Sequence, residues 1–331
     1  MKNVESIPSP GEGELPVLAG LSRTRAAVRG SWRRQWIILT ILAAALAVCF
    51  VSPLLELFGF AWDSKFFSYI PLMPAIAGYL IWLKRDQVEP GVRPAWAAAA
   101  AAAAAGGVIL AASALATRRG WHPTEEDYLA VMTSGLLLFL VAAAFAVMGW
   151  AAMKTMAFPV AMLAFMVPCP EHLLDVITYF FQQTSATAAW GMLRLAGTAI
   201  HKDGLLLLLP DVKATPRHAA PFELSVAPEC SGIHSTMVLL ITSLIAGHLF
   251  LRSPWRRTGL ALFVIPLAIA RNGFRIFVLG ELCVHVKADM IDTPIHLQGG
   301  PIFFVLSLIP FFLLLIWLRK RETRQDDAGR A

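Results

Sequence analysis

Apolar residues in this chain run in long blocks, not at the spacing of amphipathic helices or the alternation of half-buried strands. Eight blocks stand out: Trp36 to Phe58, Phe66 to Leu83, Ala95 to Ala116, Tyr128 to Trp150, Thr155 to Val167, Gly232 to Leu251, Gly259 to Gly280 and Pro301 to Leu318. Most have the roughly 17–25 residues that a helix needs to cross a hydrocarbon core about 30 Å thick. The third holds an alanine tract, Ala97 to Ala105, which favours helix strongly but is only mildly apolar. The fifth lies at the short limit of a span. Keeping both preserves the alternation of sides, and the pattern predicts an all-α polytopic membrane protein of about eight transmembrane helices.

One long stretch, 168–230, falls between blocks. Within it Leu173, Val176, Ile177, Phe180 and Phe181 share one helix face, and Gln182, Gln183, Thr184 and Ser185 interrupt the apolar run. That pattern predicts an amphipathic helix lying at the membrane interface. From Gly204 to Cys230 the chain is strand-like or irregular, with several prolines. Three regions follow: a polar N-terminal tail over 1–35, a single membrane domain over 36–318, and a basic tail over 319–331. The tail over 1–35 lacks a secretory apolar core, so the first block reads as an uncleaved span.

Composition agrees. Of 331 residues, 57% are hydrophobic and 15% charged, against about a quarter charged in an ordinary soluble domain. The net charge of +6 would suggest nucleic acid if the basic residues formed a patch; instead they sit between the blocks. With the N-terminus inside, 18 of the 28 Lys and Arg fall on the cytoplasmic side, 8 opposite, and Arg271 and Arg275 within a span. This is the positive-inside bias of a cytoplasmic-membrane protein with both termini in the cytoplasm, and it puts segment 168–230 outside.

Chemistry concentrates on that outer side. Of four cysteines, Cys49 falls inside the first block, whereas Cys169, Cys230 and Cys283 map to the outer boundary. Three is odd, so at most two of them, such as Cys169 and Cys283, can pair in an oxidising compartment. Cys230 sits in PECSGI at the start of a span, where the unsatisfied N–H groups of a helix N-terminus favour thiolate. Ser231 and Gly232 allow a tight turn and close approach, while Glu229 opposes ionisation. The bland alternative is a cysteine that merely begins a helix. Arg271, Asn272 and Arg275 lie inside the seventh block, where an arginine is costly and is rarely left facing lipid; snorkelling toward outer headgroups is the alternative. His296 precedes the last block, with His285 as a competitor. Cys283, His285 and His296 lack the spacing of a closed zinc site, so neither a metal nor a cofactor is expected.

In order and spacing, PECSGI, RNGFRI in the next span and a histidine before the last span resemble the exosortase/archaeosortase family of membrane transpeptidases. DSKFFSYIPLMPAIAGYLIWLKR and FMVPCPEHLLDVITYFFQQTSATAAW extend the resemblance, which covers about Phe60 to Lys320. It implies Cys230 as nucleophile, Arg275 as stabiliser through the Asn-x-x-Arg spacing, and His296 as proton carrier, with Ser231, Gly232, Asn272 and Arg271 in support. It implies as partners exported proteins with a C-terminal PEP-CTERM-type motif, a membrane helix and a basic tail, besides an acceptor for the acyl group. Glu229 and Arg271 depart from the expected pattern. Two rival classes stand beside this reading: a transporter or channel with a path lined by Arg271, Asn272 and Arg275, which leaves Cys230 unexplained, and a non-catalytic assembly factor.

Overall fold

The computed structural model describes residues 33–64, 66–88, 93–209, 222–226, 232–285 and 300–328. Cys230, Ser231 and His296 lie outside the described residues. The chain divides into two units, residues 1–169 and 170–331, and each is taken by itself.

In the first unit, helices α1 (Arg33–Cys49) and α2 (Val51–Asp63) meet at a 78° bend. Pro53 has no N–H for the carbonyl of Cys49, so the hydrogen-bond ladder fails at that point. The first apolar block is thus a bent pair instead of one straight span. Helix α3 (Leu72–Lys84) has 13 residues, fewer than the block it comes from. Phe66 and Phe67 instead donate their N–H groups to Ser64 Oγ in a turn. Helix α4 (Trp96–Arg118) packs on α5 (Glu125–Met162) through small residues. A Cβ on Gly135 would stand 2.9 Å from Leu110, and one on Gly106 3.2 Å from Leu138, so glycine permits the close approach. Thr124 caps α5 by accepting from the Asp127 N–H, and Glu125, Glu126 and Asp127 suit the positive end of its dipole.

The fourth and fifth blocks are not separated by a loop. They join in α5, interrupted only at Gly149, whose φ of 74° and ψ of −177° belong to a region that glycine alone adopts readily. Together with the 3₁₀ turn Leu163–Met166, this gives one stretch of 42 residues. Among the described residues, five helices are long and apolar enough to cross a membrane, or six if the bent pair counts as one. Eight straight spans do not appear among the described residues.

In the second unit, α6 (Glu171–Leu195) lies along α8 (Pro254–His285). Leu173, Val176 and Phe180 of its first half are exposed, whereas Phe181, which the sequence pattern puts on the same face, is buried with Ala186, Ala189 and Leu193 of the second half. Gly273 and Gly280, seven apart on α8, make room: added Cβ atoms would lie 2.7 Å from Ala188 and 3.2 Å from Leu193. A small antiparallel sheet follows, in the order β1 (His201–Asp203), β2 (Leu206–Leu209), β3 (Phe222–Ser225). Register pairs Leu206 with Ser225 and Leu207 with Leu224. Leu207, Leu209, Leu224 and Val226 close a core against Ala189, Leu193, Ile276 and Val284.

Helix α7 (Ile233–Phe250) and α8 form a hairpin that packs with α9 (Gly300–Ala328) around Leu239, Leu260, Val264, Phe311 and Leu315. At the hairpin's turn, Glu322 accepts from the N–H groups of Arg252 and Ser253 at 3.0 and 2.7 Å. Arg256 reaches Glu322 at 3.5 Å and also donates to Gln325. Two of the basic segments therefore stand at one end of this unit, an arrangement that alternation of α7, α8 and α9 requires.

Candidate functional site

The other end of the hairpin, where α7 begins, carries the candidate chemistry. Gly232 is the residue before α7 and has φ 69°, ψ 12°. Only glycine adopts this left-handed turn at little cost. The space around it is as restricted as the backbone. A Cβ there would lie 3.0 Å from Arg271 Nη2 and 3.2 Å from Asn272 Cγ and Oδ1.

Arg271 and Asn272 come from the middle of α8 and are only 9% and 2% exposed. Arg271 Nη2 donates to the Gly232 carbonyl at 2.9 Å and to Thr236 Oγ1 at 3.3 Å. Thr236 Oγ1 donates in turn to that carbonyl at 2.8 Å, and Ser235 Oγ does so at 3.1 Å. The Gly232 carbonyl thus accepts from the Thr236 N–H, from the hydroxyls of Thr236 and Ser235, and from one guanidinium of α8. Arg275 follows Arg271 by four residues on the same face and is partly buried. A burial this deep rules out snorkelling for Arg271: its head turns to a backbone carbonyl, not to water.

Upstream, the chain is held as well. Buried Gln182 of α6 donates through Nε2 to the Val226 carbonyl at 2.8 Å, and the Val226 N–H donates to Leu205 O at 3.1 Å. Val226 and Gly232 are therefore both fixed, and residues 227–231 join them. Sequence reasoning took Gln182 only as a break in an apolar face and passed over Thr236. Nothing local marks either residue, since their partners come from distant parts of the fold or from the turn itself.

Some sequence candidates are not brought together. His285 is ten residues beyond Arg275, about 15 Å farther along the helix axis. Its Nε2 lies 3.0 Å from Glu281 Oε2, and Thr198 Oγ1 donates to Glu281 Oε1 at 2.6 Å. That carboxylate links α8 to the end of α6 and engages His285 away from the Gly232 turn. Cys49, Cys169 and Cys283 are free thiols; Cys283 is buried, and burial pushes the Cys169 thiol up. A raised thiol pKa leaves less thiolate, so Cys169 is a poor nucleophile.

The family model for transmembrane exosortase (Exosortase_EpsH) matches residues 61–313, well over half of the chain. The protein belongs to the exosortase family. The match takes in both units, from α2 to α9, and includes the PECSGI and RNGFRI segments of this exosortase. Neither a curated protein nor a solved structure matches the chain.

Proposed function

We propose that this exosortase-family protein is a membrane cysteine transpeptidase that cleaves C-terminal sorting signals through a thioester. The observation that supports it best is the Gly232 turn, seated on the Arg271–Asn272 face of α8 two residues after Cys230. Gly232 follows Cys230 by two residues in the sequence, so the proposed nucleophile is joined through Ser231 to the turn that this face holds.

The reaction follows from the residue types. The Cys230 thiolate attacks the scissile carbonyl, forming a C–S bond and an oxyanion. Arg275 donates to that oxyanion, a contribution of about 3–4 kcal/mol by analogy with other lost oxyanion donors. The C–N bond then breaks as His296 protonates the leaving amine. Next His296 takes a proton from the acceptor nucleophile, which attacks the thioester and regenerates the thiolate. Transfer or hydrolysis depends on whether the acceptor is another molecule or water. Substrates are exported proteins carrying a short PEP-CTERM-type motif, a membrane helix and a basic tail, acted on at the outer face of the cytoplasmic membrane.

Processing of a tagged protein of this kind from the same cell tests the proposal. Cys230→Ala is expected to abolish processing while Cys169→Ala and Cys283→Ala retain it. Processing at the normal rate by Cys230→Ala would return the transport reading.

A further inference from the structure

The grip of Arg271 on the turn is more specific than packing demands. One nitrogen, Nη2, serves both the Gly232 carbonyl and Thr236 Oγ1, and the threonine hydroxyl closes the triangle on the same carbonyl. A charged side chain so deeply buried in an apolar helix carries a desolvation cost that mere cross-linking of two helices would not require. Nη1 of the same guanidinium has no hydrogen-bond partner among the described residues. Val226 and Gly232 are thus each held by a side chain from another helix, Gln182 of α6 and Arg271 of α8. Arg275 stands one turn along from Arg271, about 6 Å higher on the axis.

We propose that Arg271 is a positioning residue for the thioester chemistry: it holds the Gly232 carbonyl, two residues after Cys230, against α8 one turn from Arg275. The inference rests on the reading of Cys230 as nucleophile. Arg271 acts through the backbone, not on the substrate, so its loss lowers the rate of the bound complex without weakening substrate binding. A displacement of about 1 Å is enough to slow a reaction by roughly a hundredfold. A lysine ammonium keeps the charge and has donors for both the carbonyl and the hydroxyl, so it preserves much of the grip.

The test uses the full chain in proteoliposomes with a membrane-inserted substrate carrying the C-terminal signal, measuring kcat and KM separately. Arg271→Gln is expected to lower kcat by about a hundredfold with KM within about twofold, and Arg271→Lys to recover most of that loss. Thr236→Val leaves the arginine in place but removes two of the triangle's three hydrogen bonds, and is expected to lower kcat several-fold. A wild-type kcat in Arg271→Gln overturns the proposal, as does a loss expressed mainly in KM, which would make Arg271 a substrate-binding charge. If Arg271→Gln does not accumulate folded, Thr236→Val decides, and an unchanged kcat there overturns it. Cys230→Ala in the same assay separates the two claims. An inactive Cys230→Ala beside a fully active Arg271→Gln sinks only the positioning role; an active Cys230→Ala sinks the nucleophile and the positioning role together.

Discussion

At the scale of single residues, Gly232 carries the strongest constraint at the site, because two independent demands meet there. Its φ of 69° disfavours any side chain by about 1–2 kcal/mol. A Cβ would in addition press on Arg271 Nη2 at 3.0 Å and on Asn272. Gly232→Ala is therefore expected to lower both the thermal midpoint in detergent and the processing rate, the latter by tenfold or more. An alanine variant with full activity would mean that the turn relaxes without consequence. The sequence made Gly232, Arg271 and Asn272 legible as candidates, since intramembrane polar residues are costly wherever they occur. The family resemblance gave Arg275 the stabiliser's role through the Asn-x-x-Arg spacing and left Arg271 in support without saying what it holds. Arg271 and Arg275 share a helix face by spacing, and the contact of Arg271 with a carbonyl 39 residues earlier is one that spacing does not reveal.

At the scale of elements, hydropathy located the helices but not their interruptions. Pro53 bends the first block by 78°, and Gly149 breaks α5 without adding a loop. Both are single residues inside stretches whose average apolarity hardly registers them. Leu173, Val176 and Phe180 of α6 repeat at helical spacing and are exposed, but Phe181 of the same expected stripe is buried. The buried half of α6 was harder to read, because small residues facing small residues give little hydrophobic contrast. Packing of α6 on α8 depends on Gly273, where an added Cβ would stand 2.7 Å from Ala188 Cβ. Gly273→Leu is expected to push the helices apart and destabilise the protein by about 1–3 kcal/mol, with loss of processing because Gln182 moves with α6. Circular dichroism melting in detergent checks the first part. An unchanged melt would show that α6 does not rest on α8 as described.

At the scale of the whole molecule, membership of the exosortase family gives the expected setting, a multi-pass protein in a membrane. Sidedness is a proposal from charge. Arg252 and Arg256 meet the basic end of α9 through Glu322, so one end of the second unit gathers positive charge as cytoplasmic segments do. Reporters fused near Lys213 or after Gly120 are expected to read the exterior, and reporters after Arg85 or Arg257 the cytoplasm. A cytoplasmic signal near Lys213 would place Cys230 on the wrong face for exported substrates. The reporter after Gly120 also bears on α5, where the sequence predicts two crossings and the structure has one broken helix.

The proposed function stands on the covalent step, and trapping the intermediate tests it. Incubation of the full chain with a substrate tagged on the N-terminal side of its signal is expected to give an adduct joining that part to this protein through Cys230. Hydroxylamine is expected to remove the adduct, because it cleaves thioesters, and peptide mapping to place it on residue 230. Cys230→Ser is expected to give neither adduct nor turnover, since a serine hydroxyl without a strong base is far less nucleophilic than a partly ionised thiol. A hydroxylamine-stable adduct, an adduct on Cys283, or normal turnover by Cys230→Ser would contradict the account.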